Sequence, residues 1–476
     1  MSLLSFSKLQ SYNSSKDFRK SIACLLSLAT ASLVVAGCGA SLTQATASGS
    51  VAGPAFVVGT DAPMASVTSF SVQVQSINAI TSGGTSVPLL SGEPTVDFAR
   101  FNGLQTLLDM NDVPVGTYTS VAITLGPATM SYLNSVSGSA PTIQSEAATL
   151  TNSTVTIPLA SPLVVTVAQP VGLHLDFDLR KSILVDSNGQ ITGQVNPNFD
   201  VNAVGTGDSG AYIDEFDAAV VSVASNGLSF VIQGPHGRQF TVNITGNTAW
   251  DNSESITQLT TSSIVQVSGI LDRVDATIDA DEVAILSQNG FFADGQVTYV
   301  TPSSGAATSF DLYVRGLLPT TTGLTLGQIA QVNLTGNENF FIYRMHNPLT
   351  QFLFNSSQLL AGQAVAIGGP ATGAANPNAV TTKRVVLRHW GYNGTVVPSS
   401  INTSAGTFQM QVNGFAGLLI PETVTVYVTS DTTFRSGLTA MSSITASTNV
   451  RAVGLLLKDP VSGQAILLAR YVDALN

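Results

Sequence analysis

From residue 56 onward, apolar and polar positions alternate in short runs, the two-residue period of a strand with one buried face. Residues 67–77 (VTSFSVQVQSI), 116–125 (GTYTSVAITL), 151–157 (TNSTVTI), 163–167 (LVVTV) and 172–179 (GLHLDFDL) are the clearest. Gly, Pro, Asn and Asp separate the runs, as turns require. Only 101–110 (FNGLQTLLDM) breaks the pattern, and it allows a short helix or a loop. Seven or so strands in about 150 residues predict a β-sandwich over 53–204. After a glycine-rich junction at 205–210, one plan recurs three times. Opening strands at 218–223, 295–300 and 394–397 are followed by second strands at 228–233, 309–314 and 407–412. A polar turn then runs into an aromatic: Asn247-Thr248-Ala249-Trp250, Asn337-Glu338-Asn339-Phe340 and Asp431-Thr432-Thr433-Phe434. Apolar strands at 264–270, 364–368 and 450–455 lead to closing segments at 282–286, 384–387 and 465–469. A period of about 80–100 residues is too long for a solenoid unit, and a closed barrel removes edge strands that would aggregate. The expected fold is therefore all-β: a sandwich of transthyretin or immunoglobulin type, then three small barrel-like repeats at 211–288, 291–390 and 391–476.

The N-terminal segment follows another pattern. Lys8, Lys16, Arg19 and Lys20 precede an apolar run at 21–35 (SIACLLSLATASLVV), the build of a secretory signal peptide. The run is shorter than the roughly 20 apolar residues of a membrane span. It ends in Val35-Ala36-Gly37-Cys38, which resembles the lipobox of bacterial lipoproteins, a resemblance confined to this leader. The resemblance implies removal of 1–37, a diacylglycerol on the Cys38 sulfur and a lipid-anchored extracytoplasmic protein partnered with the membrane. Two or more acyl chains make such anchoring stable. Gly39, in place of an aspartate, favours the outer membrane. The alternatives are an ordinary signal peptide with an incidental cysteine, and a true anchor helix. Residues 38–52, small and polar, read as a flexible tether. Cys24 falls in the leader, so the folded part has no thiol for a disulfide, a thiolate metal site or a nucleophile.

Charge sharpens this picture. Only 10% of residues are charged, against about 25% in ordinary globular domains. The leader holds four of the 18 basic residues and one of the 29 acidic ones, leaving the remainder at −14. Lys383-Arg384 with Arg388 is the one basic cluster, too small to displace counterions from a phosphate backbone. Nucleic acid is therefore excluded as a partner.

Several segments in order carry a family resemblance: Gly59-Thr60-Asp61-Ala62-Pro63, Thr95-Val96-Asp97-Phe98, Val113-Pro114-Val115-Gly116-Thr117-Tyr118, Leu175-Asp176-Phe177-Asp178 and Lys181-Ser182. Over roughly 53–204 the chain resembles domain of unknown function 4382. That resemblance implies an extracytoplasmic sandwich and no catalytic residues. The first repeat resembles domain of unknown function 5666, another envelope module without assigned chemistry; the second and third copies depart from it in spacing.

His174, Asp176 and Asp178 alternate along one strand and so share a face. An imidazole and two carboxylates suit a divalent cation if another element adds ligands; Asp61 and Asp97 are candidates to join them. The competing reading is a solvated edge-strand face, or hydrogen bonds to loop backbone. Asp272, Asp275, Asp279 and Asp281 form an acidic segment without the glycine and terminal glutamate of an EF-hand, and a solvated hairpin explains it better. Gly-x-Ser-x-Gly and His-Glu-x-x-His are absent, and the four histidines, His174, His236, His346 and His389, are scattered. Trp250, Trp390 with Tyr392, and Phe340-Phe341 with Tyr343 are candidates to stack on sugars, with core packing the competing reading. The sequence thus predicts a non-enzymatic binding or architectural protein without cofactor, its ligand a glycan or another envelope protein. The alternatives are a divalent-metal module on His174, Asp176 and Asp178, and a carbohydrate-active enzyme built on a carboxylate pair.

Overall fold

The computed structural model describes residues 52–475 apart from 63–66, 102–105, 135–139, 141, 168–170, 188–190, 205–211, 234–238, 252–253, 273–276, 289–290, 319–322, 343–351, 370–377 and 413–422. The leader, Cys38, the tether, the glycine-rich junction, His236, Asp275, Tyr343 and His346 lie outside the described residues, as does the side chain of Asp61. The protein is all-β; among the described residues the single α-helix is Leu179–Ser182.

Two sheets face each other in the N-terminal part. One has four strands in the order Phe199–Val204, Val171–Asp178, Ala52–Ala62 and Thr106–Pro114. The other is built on Val67–Thr81 and the long strand Gly116–Asn134. Thr142–Leu150 pairs with the C-terminal half of that long strand and Thr154–Val165 with its N-terminal half. The alternation is realised as expected: Phe70, Val72, Val74, Ile77 and Ala79 are buried, and the one-residue slip after Val74 coincides with a bulge. Phe70 and Phe98 pack on Phe177 at 5.2 and 5.0 Å between ring centres, an aromatic cluster between the sheets.

Of the stretch 101–110, the described residues do not form a helix. Phe98–Arg100 makes one 3-10 turn, and Thr106–Pro114 is a strand antiparallel to Ala52–Ala62. Its alternation is lost because both faces are covered. Leu108 and Val113 enter the sandwich core, whereas Leu107 and Met110 pack with Ile213, Phe216 and their neighbours in the first repeat. A strand buried on both sides reads as a continuous apolar run.

The three repeats share one connectivity. In the first, Tyr212–Val223, Ser229–Gln233 and Gln239–Asn243 form a meander, and Ile264–Asp272 and Thr277–Ser287 complete it. Antiparallel pairing of the first strand with the fourth, and parallel pairing of the third with the fifth, closes the ring. The second uses Phe291–Thr301, Ser309–Leu318, Ile329–Asn333, Ala364–Gly369, and Ala379–Thr381 running on into Arg384–Val396. The third starts on that same Arg384–Val396 and continues with Thr407–Val412, Thr423–Tyr427, Asn449–Lys458 and Ala465–Ala474. The order 1-2-3-5-4 with strands 3 and 5 parallel is the connectivity of an OB-type barrel. One strand thus closes the second barrel and opens the third.

Register is kept as well as order. Val242, Val332 and Val426 on the third strands lie opposite Ile278, Val380 and Leu467 on the last. Trp250, Phe340 and Phe434, on short strands that pair parallel with the last one, lie opposite Val283, Val385 and Val472. In the third repeat the counterpart of 282–286 is therefore 471–475, not 465–469. The turns also repeat. Thr248 and Thr432 accept the backbone N–H of Thr245 and Thr429, each at 2.9 Å. Their hydroxyls then donate to the carbonyls of Ala280 and Ala469 at 2.7 and 2.6 Å. In the second barrel the carboxylate of Glu338 accepts from Thr335 instead.

Candidate functional site

Buried charged residues of this charge-poor protein meet where the sandwich and the barrels join. The first strand of the first barrel carries a bulge between Ile213 and Phe216. There Glu215 has φ 49°, and its N–H donates to the buried Ser268 hydroxyl at 2.9 Å. The left-handed backbone costs energy for a residue with a Cβ. Its consequence is that Asp214 and Glu215 are both buried, pointing out of the first barrel into the junction.

Arg388 is the hub. Its Nε and Nη2 donate to Oε2 of Glu215 at 3.2 and 3.0 Å, and Nη1 reaches Oδ2 of Asp217 at 3.0 Å and Oδ2 of Asp294 at 3.3 Å. Arg100, from the sandwich, meets the same two aspartates at 3.1 and 3.5 Å. Gln266 donates to the other oxygen of Asp217 at 2.8 Å. Burial alone would raise the Glu215 carboxyl, but Arg388 and the hydrogen bond with His389 bring it down to about 2. An ionised carboxylate only accepts, so the 2.8 Å contact has Nδ1 of His389 donating to Oε1 of Glu215. Two guanidiniums, of Arg388 and Arg100, tie residues of the sandwich, the first barrel, the second barrel and the shared strand through Asp217 and Asp294.

A second ionic group joins the sandwich to the third barrel. Asp473 accepts from Arg435 at 2.9 Å and from Arg451 at 3.2 Å. The Arg435 guanidinium lies 3.9 Å over the Tyr471 ring. Arg470 pairs with Asp214 at 3.1 Å, linking the first barrel to the third.

The three residues predicted as a metal face fall beside this second group. Val171–Asp178 is an inner strand, between Ala52–Ala62 and Phe199–Val204, not an edge. Asp176 faces Arg451, Oδ2 to Nη1 3.7 Å, and burial raises its carboxyl to about 6. Burial and then Arg451 lower the His174 imidazole to about 4. Asp178 instead caps the helix, accepting the N–H of Lys181 at 3.0 Å, and pairs with its ammonium at 3.2 Å. Asp97 is committed elsewhere, to the Ser69 hydroxyl and the Phe70 N–H, both at 2.8 Å. Among the described residues no group of three or more His, Cys, Asp or Glu is placed to hold a metal ion. Asp279 accepts from Asn243 at 2.9 Å, and both Asp279 and Asp281 are exposed, as in a solvated hairpin.

The aromatic candidates separate. Tyr392 is 1% exposed and donates its hydroxyl to the Gly362 carbonyl at 2.8 Å; buried so deeply, it offers no face to a sugar, and the expectation for it is corrected. Trp250 is half-buried against Phe230, ring centres 6.5 Å apart, and Phe340 packs edge-on against Phe354 at 5.4 Å. Phe341 lies under the Arg384 guanidinium at 4.9 Å. Trp390 differs, because it lines a cleft.

That cleft, about 790 Å³, is bounded by the sandwich (Asp97, Phe101, Leu108), the first barrel (Phe216, Ala219) and the second (Arg315, Leu318), with Arg388, His389 and Trp390 from the shared strand. Such a volume falls in the range of small-ligand sites. On one wall the Arg315 guanidinium lies 4.0 Å above the Trp390 ring and donates from Nη1 to the Ala99 carbonyl at 2.9 Å. The carboxylates around the cleft are held by arginines, hydroxyls or backbone N–H groups.

Sequence reasoning missed Arg100, Glu215, Asp217, Asp294, Arg315 and the hub role of Arg388. The signal was present: in a chain with 10% charged residues, charges inside apolar strands such as 385–390 (VVLRHW) indicate buried pairing. No helix among the described residues is long and apolar enough to cross a membrane. No curated protein matches the chain. Residues 57–197 match the family described as domain of unknown function (DUF4382), a stretch that takes in most of the sandwich and ends before the barrels.

Proposed function

We propose that this protein is a lipid-anchored, non-enzymatic binding protein of the cell envelope, holding a glycan in the cleft between the sandwich and the first two barrels. The cleft carries the reading: a half-open space of about 790 Å³ with an arginine-stacked indole in its wall admits a few sugar rings more readily than the flat face of a folded partner. The clamped carboxylates support binding over hydrolysis. Anchoring through Cys38 rests on the lipobox and would place the cleft outside the cytoplasm, on the outer membrane.

Two experiments test it. Cys38→Ala should abolish lipid labelling and release the protein from the membrane fraction or leave it as uncleaved precursor; unchanged labelling refutes the anchor. For the cleft, Ala219→Trp fills the space from an exposed position. Wild-type protein should bind members of an envelope-glycan array that Ala219→Trp does not. Retention of an envelope protein with no glycan bound would replace the glycan by a protein partner, and turnover of a bound glycan would restore the enzyme reading.

A further inference from the structure

We propose that the sandwich docks on the lipid bilayer that holds Cys38, through an uncharged apolar corner formed by Val115, Val164 and Val167 around the point where the chain enters the fold. This rests on the Cys38 anchor proposed above.

The chain enters the sandwich at Ala52, at the start of Ala52–Ala62. Ala52 pairs with Pro114, and Val115 comes next. A Cβ on Gly53 would meet the Thr166 carbonyl at 2.0 Å. The backbone there lies directly against the end of the strand Thr154–Val165, and Val167 follows. Val164 stands opposite Thr117, on the face turned away from the buried Leu163 and Val165. Val115, Val164 and Val167 are 45, 50 and 61% exposed. Their corner is fixed, because the buried Tyr118 donates its hydroxyl to the Pro114 carbonyl at 2.7 Å. Single exposed apolar residues need no explanation, but three grouped on one entry point do.

Charge favours a lipid occupant. Residues 62–92, 113–145 and 147–173, which supply this end of the sandwich, hold no Asp, Glu, Lys, Arg or His. Along the chain the nearest charge is Asp112, paired with Pro54 on the face of Phe56 and Met110, which pack with the first barrel. A folded protein partner meets a polar rim around an apolar core. A bilayer interface takes apolar and hydroxyl side chains and makes charge costly. The tether adds proximity: the 14 residues 38–51 reach at most about 50 Å. Once Cys38 is in the lipid, docking is intramolecular, and its high effective concentration makes a modest apolar contact sufficient. Leu107, in the cleft wall, pairs with Val58, about 20 Å along the strand from Ala52. Docking at this corner therefore leaves the cleft away from the lipid contact.

The anchored protein has no other thiol, so one introduced cysteine carries a fluorophore alone. An environment-sensitive label is placed on Val115→Cys, Val164→Cys or Val167→Cys, with Val461→Cys, 95% exposed in the third barrel, as control. Each lipidated protein is checked for its lipid by mass spectrometry and for an unchanged far-ultraviolet spectrum. It is then reconstituted into phosphatidylcholine vesicles with and without brominated acyl chains. At the three corner positions the label should shift to the blue and lose emission to the bromines, as burial about 5–10 Å deep requires; at the control it should do neither. Both changes should persist between about 0.1 and 1 M salt, where the Debye length falls from about 10 to about 3 Å. Adding Val115→Asp and Val167→Asp to Val164→Cys should abolish them with the lipid still on Cys38. If the lipid is present and the corner labels read water as the control does, the docking inference fails and the anchor stands. If the lipid is absent, the anchor fails and docking with it. Loss of the signal in high salt, or its persistence in the aspartate variant, also overturns apolar docking. Shielding that appears only at high protein density assigns the corner to a second copy instead, and shielding only in native envelopes assigns it to a protein partner.

Discussion

Asp176→Asn should make the protein more sensitive to acid than the wild type between pH 6.5 and 4. Asp176 lies against the third barrel, with Oδ1 buried and without a hydrogen bond. Burial outweighs the pull of Arg451, and the carboxyl rises from 3.8 to about 6. A raised carboxyl contributes stability that is complete below its unfolded value, near 4, and is lost as pH rises through 6. His174, two residues earlier on the same strand, is lowered from 6.5 to about 4 by burial and then by Arg451. Its contribution is complete above 6.5 and lost as pH falls through 4. Each displacement spans about two pH units, or roughly 3 kcal/mol at the usual conversion. Over the same interval the imidazole therefore loses about what the carboxyl gains. Asn cannot be relieved by protonation, so the variant keeps only the histidine loss and should be weaker than wild type by roughly 3 kcal/mol at pH 4, relative to their difference at pH 6.5. His174→Asn should do the reverse, and the double variant should again run parallel to the wild type. Urea midpoints by circular dichroism at pH 4, 5, 6 and 6.5 read this directly. A single-variant profile that tracks the wild type would show both groups to be solvated, and the inner-strand burial argued above would be wrong.

Arg388→Met strips the shared counter-charge from Glu215, Asp217 and Asp294; breaking a buried ion pair costs about 3–5 kcal/mol, to be read as a lower urea midpoint, with partial recovery on adding Glu215→Gln. Glu215 itself, lowered from 4.5 to about 2, supplies stability present above 4.5 and lost as pH falls through 2, so Glu215→Gln should remove a step from acid unfolding in that window. A Cβ at Gly454 would sit 2.0 Å from the Leu468 carbonyl, so Gly454→Ala should cost about 1–3 kcal/mol by forcing two paired strands apart, measured by thermal melting. Thr432→Val removes two hydrogen bonds from the third barrel's turn and should cost about 1–2 kcal/mol in the same assay.

Local signals carried the fold a long way. Alternation identified strands with one wet face, and the polar turn before Trp250, Phe340 and Phe434 marked equivalent points of three barrels. The signal failed where burial was two-sided: Leu107, Leu108 and Met110 are covered from both faces, and their run mimicked a helix. It failed again in the third closing strand, because Ala465–Ala474 is apolar along its length and a short apolar segment fixes no register. The site was less legible still. His174 and Asp176 do share a face, but what that face meets, Arg451, lies far along the chain. Arg384 and Arg388 read as a weak basic cluster because Glu254 and Glu215, their carboxylate partners at 2.8 and 3.0 Å, belong to another barrel.

The repeats explain how such a junction arises from three barrels of one design. Asp217, Asp294 and Asn393 occupy the same position of the first strand, opposite Gln266, Ala366 and Arg451 on the fourth. In an isolated barrel a buried polar residue there would need a partner inside its own repeat, and Asp217 has one in Gln266. Asp294 faces an alanine, and its partners are Arg100 of the sandwich and Arg388 of the strand that closes its own barrel and opens the third. At the third copy the charge is inverted. Arg451 reaches outward to Asp176 of the sandwich while also holding Asp473. The polar residues at this strand pair thus tie the first two barrels to the sandwich through Arg100 and the third through Asp176. They also leave the cleft walls crossed by ion pairs made between the protein's own residues.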